Sequence, residues 1–465
     1  MKVSFVTANP FVRTAPVPPF GPERLTAALL ARFPGQVECA ISVPFLRRDW
    51  KAALVQDIKE FCPDLVGISF RNLDDALAIG PGPRVPRRIV SRSALPALLQ
   101  AISVVPAATN APLLIGGTGF SCAPTALLRA TGIKYGVVGP GEEAMVAIVG
   151  QILDGVPFEK ALEGLLGRYG VVNDSGPEVR RDPTTLFGPV TTPRHPLFAA
   201  SLRAADDRFP VLFSFGCNRR CSYCIEPGLN GGRVSMRPTE AVVAELMALA
   251  ARGVRKVWLS ASELNVPSDR PAIKLFREIA RLGLRLDIRS YLAPSPVSEE
   301  LFDAMEAAGQ RPWEWTFDFG HLARSVLAHG GGPSPLKAQE GLLDLFIRRG
   351  YPVLGTTAIF GGLDESEHTI VEAARRMRAY DAALPEGFGL TATFGVRIYP
   401  AAKVGQQVLS DPAPHKPYLW PRRRNSDGLL PIFYCKPLPP WGLAAALLAM
   451  AGPMKGGVGF FARLP

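Results

Sequence analysis

Two stretches of the chain alternate short apolar runs with amphipathic helical patterns, one in each half, and this predicts an α/β protein with two folded units. In the first stretch the apolar runs are those of buried parallel strands, so residues 1–154 are expected to form a doubly wound sheet. The third observation is what separates the two. Residues 155–204 are rich in Gly, Pro, Asp and Thr, with Asp182-Pro183-Thr184-Thr185 and Thr191-Thr192-Pro193-Arg194 as turn signals, and read as a linker that wraps the sheet edge. Residues 205–400 form the second unit, and 401–465 an extension expected to close its open side and shape a substrate pocket.

The elements follow in order. Val3 to Thr7, Glu38 to Val43, Leu65 to Phe70, Leu113 to Ile115 and Tyr135 to Val138 are the strands of the first unit. Pro22 to Arg32, Trp50 to Phe61, Ala94 to Val105 and Pro124 to Thr131 are the helices between them. Ligands of such sheets bind beyond the carboxyl ends of the strands. Glycines gather there: Gly116, Gly117 and Gly119 after the fourth strand, then Gly139 and Gly141 after the fifth, with Glu142 opening a helix. Glycine lets main chain approach a bulky ligand that a side chain would hold off.

In the second unit the strands are Val211 to Phe215, Lys256 to Ser260, Arg285 to Ser290, Trp313 to Phe319, Pro352 to Phe360 and Ala392 to Tyr399. Helices fall between them, the first spanning Thr239 to Ala251. Function is expected at the carboxyl ends of these strands.

At 465 residues, with 47% hydrophobic and 20% charged residues, the chain is long and apolar enough for separate cores and is not of disordered type. Its net charge of +11 is spread along the sequence, and its dense clusters, such as Arg422 to Arg424, are short. That argues for a solvated basic face or an anionic cofactor, and against nucleic acid as partner. No apolar run reaches the roughly 20 residues that span a bilayer. The short strand-like start does not read as a signal peptide, and seven cysteines, an odd number, suit a reducing cytoplasm. Cys39, Cys62 and Cys122 read as small buried residues.

Between the first strand of the second unit and its helix lie Cys217, Cys221 and Cys224, with Tyr223 before the last. Three thiols so spaced converge on one soft metal centre. No fourth ligand is near in sequence. A zinc site would need a distant fourth residue, whereas an iron-sulfur cubane held by three cysteines keeps one iron open to a small molecule. The Cys-x3-Cys-x2-Cys pattern with its aromatic residue resembles that of the radical S-adenosylmethionine (SAM) superfamily, in which a [4Fe-4S] cluster holds SAM at the open iron. The resemblance implies a (β/α)6 partial TIM barrel for the second unit.

The glycine turns upstream resemble those of the Rossmann-like cobalamin-binding domain that precedes the barrel in one large subfamily. By that resemblance Gly116, Gly117, Gly119, Gly139, Gly141 and Glu142 line cobalamin. Cobalamin mutases carry an Asp-x-His-x-x-Gly loop after the first strand, and this chain has Ala8-Asn9-Pro10-Phe11-Val12-Arg13 there, so no imidazole holds the cobalt from below. In the similar cobalamin-dependent radical SAM methylases of natural-product biosynthesis, an arginine that does not coordinate sits beneath cobalt. Arg71 is placed for that role, with a salt bridge to Asp74 as the ordinary alternative.

Further along, Ser262-Glu263-Leu264-Asn265 resembles the family's turn near SAM, so Glu263 is expected to be catalytic and Asn265 to bind cofactor. Arg289, Ser290 and Tyr291 form a polar trio, with Tyr291 as a catalytic candidate and Arg289 as a cofactor contact. Glu314 and Asp318 belong to the fourth strand, and Arg397 to the sixth, as a further contact to SAM. Polar residues at strand ends are also common as helix caps. The implied activity is transfer of a methyl group from SAM to cobalamin to a carbon of a natural-product precursor, peptide or amino acid such as tryptophan. The rival is ring formation or contraction with the same cofactors. An external electron donor such as flavodoxin or ferredoxin would keep the cofactors reduced.

Overall fold

The structure is a computed structural model that describes residues 1–10, 19–76, 78–79, 89–175, 208–229, 231–330, 335–422 and 427–460. The turn signals at 182–185 and 191–194, Arg13, Arg423 and Arg424 lie outside them. The first sheet holds β1 (Lys2–Thr7), β2 (Glu38–Ser42), β3 (Leu65–Ser69), β4 (Leu113–Gly116), β5 (Tyr135–Val137) and β6 (Val171–Asn173), ordered β2-β1-β3-β4-β5-β6. Five strands are parallel, and their buried apolar residues face helix-packed cores on both sides, Val6, Ile68 and Ile115 on one, Val3, Phe5 and Leu114 on the other. β6 runs antiparallel to β5 and falls in the stretch read as linker. Three residues, Val171-Val172-Asn173, behind a glycine-containing turn are too short a run to announce a strand.

The second unit opens with β7 (Phe209–Leu212) and a small ribbon of β8 (Ser214–Phe215) with β9 (Ser235–Met236). Then come β10 (Lys256–Ser260), β11 (Asp287–Arg289), β12 (Tyr291–Leu292), β13 (Thr316–Gly320), β14 (Val353–Phe360) and β15 (Gly387–Phe394). They pair in parallel as β7-β10-β11 and β12-β13-β14-β15, an open barrel interrupted at Ser290, whose hydroxyl instead bonds Leu259 O at 2.8 Å. Alternation sets the two faces. Val257, Leu259, Ile288 and Phe317 pack outward against helices, while Trp258, Arg289, Tyr291, Asp318 and Thr357 stand on the inner face.

Past β16 (Val396–Arg397), β17 (Leu419–Trp420) and β18 (Phe433–Tyr434), which form an antiparallel trio, the extension supplies β19 (Val458–Phe460), parallel to β15 at the barrel's edge. The two units share a core surface: Leu429 joins the first unit's cluster, and Tyr399 and Ile225 pack against it. No helix among the described residues is long and apolar enough to cross a membrane.

Candidate active site between the two units

The cysteine loop hangs from β8 and is tied down on several sides. Arg219 N–H donates to Cys217 Sγ at 3.4 Å, Cys224 N–H to Cys221 O at 3.1 Å, and Ser262 Oγ to Gly216 O at 3.2 Å. All three thiols are raised in pKa, by burial above all, with the Cys224 thiol also raised by Glu226 and its fellow cysteines. Desolvated thiols that feel one another's charge are poor company unless an electropositive centre takes them as thiolates, so the donor set fits an iron-sulfur cluster.

Around the loop, several side chains are half-buried by exposure and yet strongly desolvated. Arg71, Cys221, Cys224, Glu226, Asp318 and Tyr399 all show this. The cysteine loop meets the first unit here: Ile225 packs against that unit's core, and the Cys122 thiol beyond β4, raised mainly by burial, is also raised by Asp74 and Glu226. Arg71 is drawn down to about 10 by burial. Beside it, Asn72 Oδ1 is buried with no partner. An orphaned acceptor and a desolvated guanidinium in the loop after β3 suit a polar cofactor above that loop. Asp74, the alternative partner for Arg71, is paired with Arg397 at 2.7 Å.

The glycines of the first unit play a part different from the one expected. Gly117 has φ +102°, and a Cβ there would lie 2.5 Å from Phe70 O; at Gly119 it would meet the Asn72 main chain at 2.9 Å. Both therefore let the protein's own 70–72 loop come close, with Gly119 N–H donating to Phe70 O at 2.9 Å. Gly116 ends β4, and Gly139 N–H donates to Ser121 Oγ at 2.8 Å. Gly141 sits at the start of the helix Glu142–Leu153. The Glu142 carboxylate is engaged by Arg24 at 2.7 Å, so it braces the fold and does not reach out to a ligand.

At the barrel's carboxyl end, Glu263 Oε2 accepts from Arg219 Nε at 2.6 Å, and Glu263 Oε1 is buried without a partner. Burial pushes its carboxyl up to about 8 against the pull of Arg219, with Asp318 adding to the rise. Asn265 is fully buried, its Nδ2 donating to Ala293 O and Pro296 O and its Oδ1 accepting from Ala293 N–H. Its amide thus shapes the turn, and the expected contact to cofactor has no free polar atom behind it. The Tyr223 phenol is raised well above its ordinary value by burial, then by Asp318 and Cys221. Tyr291 packs edge-on to Trp258 at 5.2 Å, its phenol pushed to about 12 by burial.

Two expectations are corrected. Arg289 lies one inner layer below Tyr291, since Trp258 pairs with Arg289 while Tyr291 pairs with Thr316. There it binds Asp287 at 3.2 Å and also Glu314, so its charge is engaged within the barrel wall. Arg397 has its donors taken by Asp74, Ile398 O and Gly428 O, and its guanidinium stacks on Tyr399 at 4.6 Å. Each of its three nitrogens thus bonds protein, and with 5% exposure it holds the two units together.

Asp318 was read only as a polar residue of the fourth strand's end, and Glu226 was not singled out. Asp318 Oδ1 accepts from Thr357 Oγ1 at 3.0 Å and Gly320 N–H at 3.1 Å, and its pKa is raised by burial. The Glu226 carboxylate has no partner among the described residues, and burial raises its pKa. The signals were there: Asp318 is the inward residue between buried Phe317 and Phe319, and Glu226 is the lone acid in the cysteine loop.

Residues 211–377 match the family model of the radical SAM superfamily. Those residues therefore carry a radical SAM domain. Over 457 aligned residues, 84% of this chain and 72% of the relative, it is 28% identical to the tryptophan 2-C-methyltransferase of Streptomyces laurentii. The structure superposes on the radical SAM methyltransferase TsrM of Kitasatospora setae, solved with cobalamin and a [4Fe-4S] cluster, with a TM-score of 0.76 and 26% identity over 97% of this chain and 91% of that one. Against the same enzyme holding tryptophan and a SAM analogue the TM-score is 0.74, with 25% identity over 97% and 89%. The two-unit α/β architecture is therefore the one that this cobalamin-bound methyltransferase shows.

Proposed function

We propose that this protein is a cobalamin-dependent radical SAM C-methyltransferase acting on a small amino acid or natural-product precursor, with tryptophan as the first substrate to try. The observation that carries the reading is the contact between the three-cysteine loop and the first unit, where Ile225 packs against the core that holds Phe70 and Leu73, the residues on either side of Arg71 and Asn72. Similarity along nearly the whole chain to a tryptophan methyltransferase supports it.

When bound, the cluster supplies an iron open to SAM, and cobalamin relays the methyl group. Cys217, Cys221 and Cys224 are the thiolates that hold the cluster. If cobalamin is held beside the 70–72 loop, Arg71 would offer it a cation with hydrogen-bond donors and no lone pair to coordinate metal. Glu263 Oε1, buried and unpartnered, is an acceptor suited to the amino group of SAM or substrate. Asp318, Tyr291 and Glu226 give the site acceptors and a ring edge for an aromatic amino acid. The desolvation that shifts these groups also keeps bulk water from the methyl donor. An external one-electron donor of flavodoxin or ferredoxin type, and a cytoplasmic setting, complete the reading.

Anaerobic reconstitution with iron, sulfide and cobalamin, followed by SAM and tryptophan, tests it. The proposal expects C-methylated tryptophan only when cobalamin is supplied. Product formed equally without cobalamin would refute it.

A further inference from the structure

The stretch from Arg397 to Val404 touches three loops that are far apart in sequence. Arg397 Nε donates to Asp74 Oδ2 at 2.7 Å, in the loop that carries Arg71. Ala401 N–H donates to Cys122 O at 3.2 Å, just past the glycine turn after β4. Val404 N–H donates to Ser222 O at 2.8 Å, inside the cysteine loop. Between these points the chain is stiff. Ala402 N–H returns to Tyr399 O at 3.0 Å, and at Gly405 a Cβ would lie 1.8 Å from Tyr399 O, so the turn closes only without a side chain.

The Asp74–Arg397 pair at its head crosses between the units and is fully enclosed, with side-chain exposures of 0% and 4%. Buried pairs cost desolvation and add little net stability beyond a well-packed apolar contact. What such a pair supplies is direction: one guanidinium is fixed at once on Asp74, Ile398 O and Gly428 O, with Tyr399 beneath it.

We propose that residues 397–404 are a strap that sets the distance between the cobalamin loops of the first unit and the cluster loop of the barrel, and that Asp74 and Arg397 are its positioning residues. The inference rests on the two-cofactor reading above. Methyl transfer between two cofactors demands in-line approach, and a misplacement of about 1 Å costs about 100-fold in rate. A strap bonded to both cofactor loops holds that approach whether or not substrate is present.

Hydrogen exchange on the whole protein reads the strap without reference to activity. In the unaltered chain the amides of Ala401 and Val404 are expected to be protected to the level of the sheet. Free exchange there would overturn the strap. In Asp74→Asn the same amides and those of residues 72–76 should exchange faster, while β1 and β14 stay protected. With iron and cobalamin content matched to the unaltered enzyme, turnover should fall about 100-fold with KM for tryptophan unchanged, and Asp74→Glu, which keeps the charge, should recover part of it. Turnover that is unchanged, or that falls only in proportion to lost cofactor, would overturn the positioning role. If the unaltered enzyme transfers no methyl, the function reading fails, and the exchange arm still decides the strap.

Discussion

At the amino end of the barrel, Arg208, Asp287, Arg289, Glu314 and Arg311 form an unbroken chain of ion pairs, with Arg208–Asp287 at 2.7 Å and Arg311–Glu314 at 2.9 Å. At the carboxyl end, Glu263 Oε1 and the Glu226 carboxylate have no partner among the described residues, and burial raises both pKa values. The same residue types serve on the inner wall of one barrel. At the lower end every carboxylate of the set is paired, whereas at the upper end one oxygen of Glu263 is bonded to Arg219 and the other is an open, buried acceptor. Strongly shifted, desolvated carboxyls gather at functional sites, and this favours the upper end as the candidate site.

The comparison can be broken from either end. The largest effect is expected from Cys221→Ser, which should remove the cluster from reconstituted protein and abolish methylation, as read by iron and sulfide analysis; a variant that keeps both would contradict the ligand assignment. Asp318→Asn comes next. Losing a charged acceptor there should lower kcat/KM for substrate roughly 10- to 100-fold, and full activity would remove Asp318 from the site.

Glu263 gives a pH signature. Its carboxyl titrates near 4.5 when unfolded and at about 8 in the fold, so the native state keeps a proton that the unfolded chain gives up. Stability of the cofactor-free protein should therefore decline as pH rises from 4.5 to 8, and Glu263→Gln should flatten that part of the Tm profile. An identical profile in the variant would show that Glu263 is not the group responsible. The smallest effect is expected at the other end. Arg289→Gln should cost about 1 kcal/mol of stability in denaturant unfolding and leave turnover intact, whereas a large loss of turnover would move the site downward.

These contrasts also show what could be read from the chain. The Cys217, Cys221 and Cys224 spacing carries its own geometry, because the ligands lie within one loop. The strand-helix alternation was equally plain, since buried parallel strands are apolar throughout. What escaped depends on register or on distance. Arg289 and Tyr291 are two residues apart and share a face, and only the pairing of neighbouring strands shows that one lies a layer lower. Arg397 finds its partner 323 residues away, a contact no local pattern encodes. Gly117 and Gly119 were legible as close approaches, but the surface they approach proved to be the protein's own loop. Asn265 read as a ligand contact because a buried amide's satisfaction by Ala293 and Pro296 is a tertiary fact.

The claim that joins these observations is that the upper end of the barrel passes a methyl group where it meets the first unit. Trideuteromethyl SAM, given to the reconstituted enzyme with tryptophan and a reductant, tests it most directly. The account predicts a product that carries the intact trideuteromethyl group on carbon. Consumption of SAM to 5′-deoxyadenosine and methionine, with a rearranged product free of label, would contradict it.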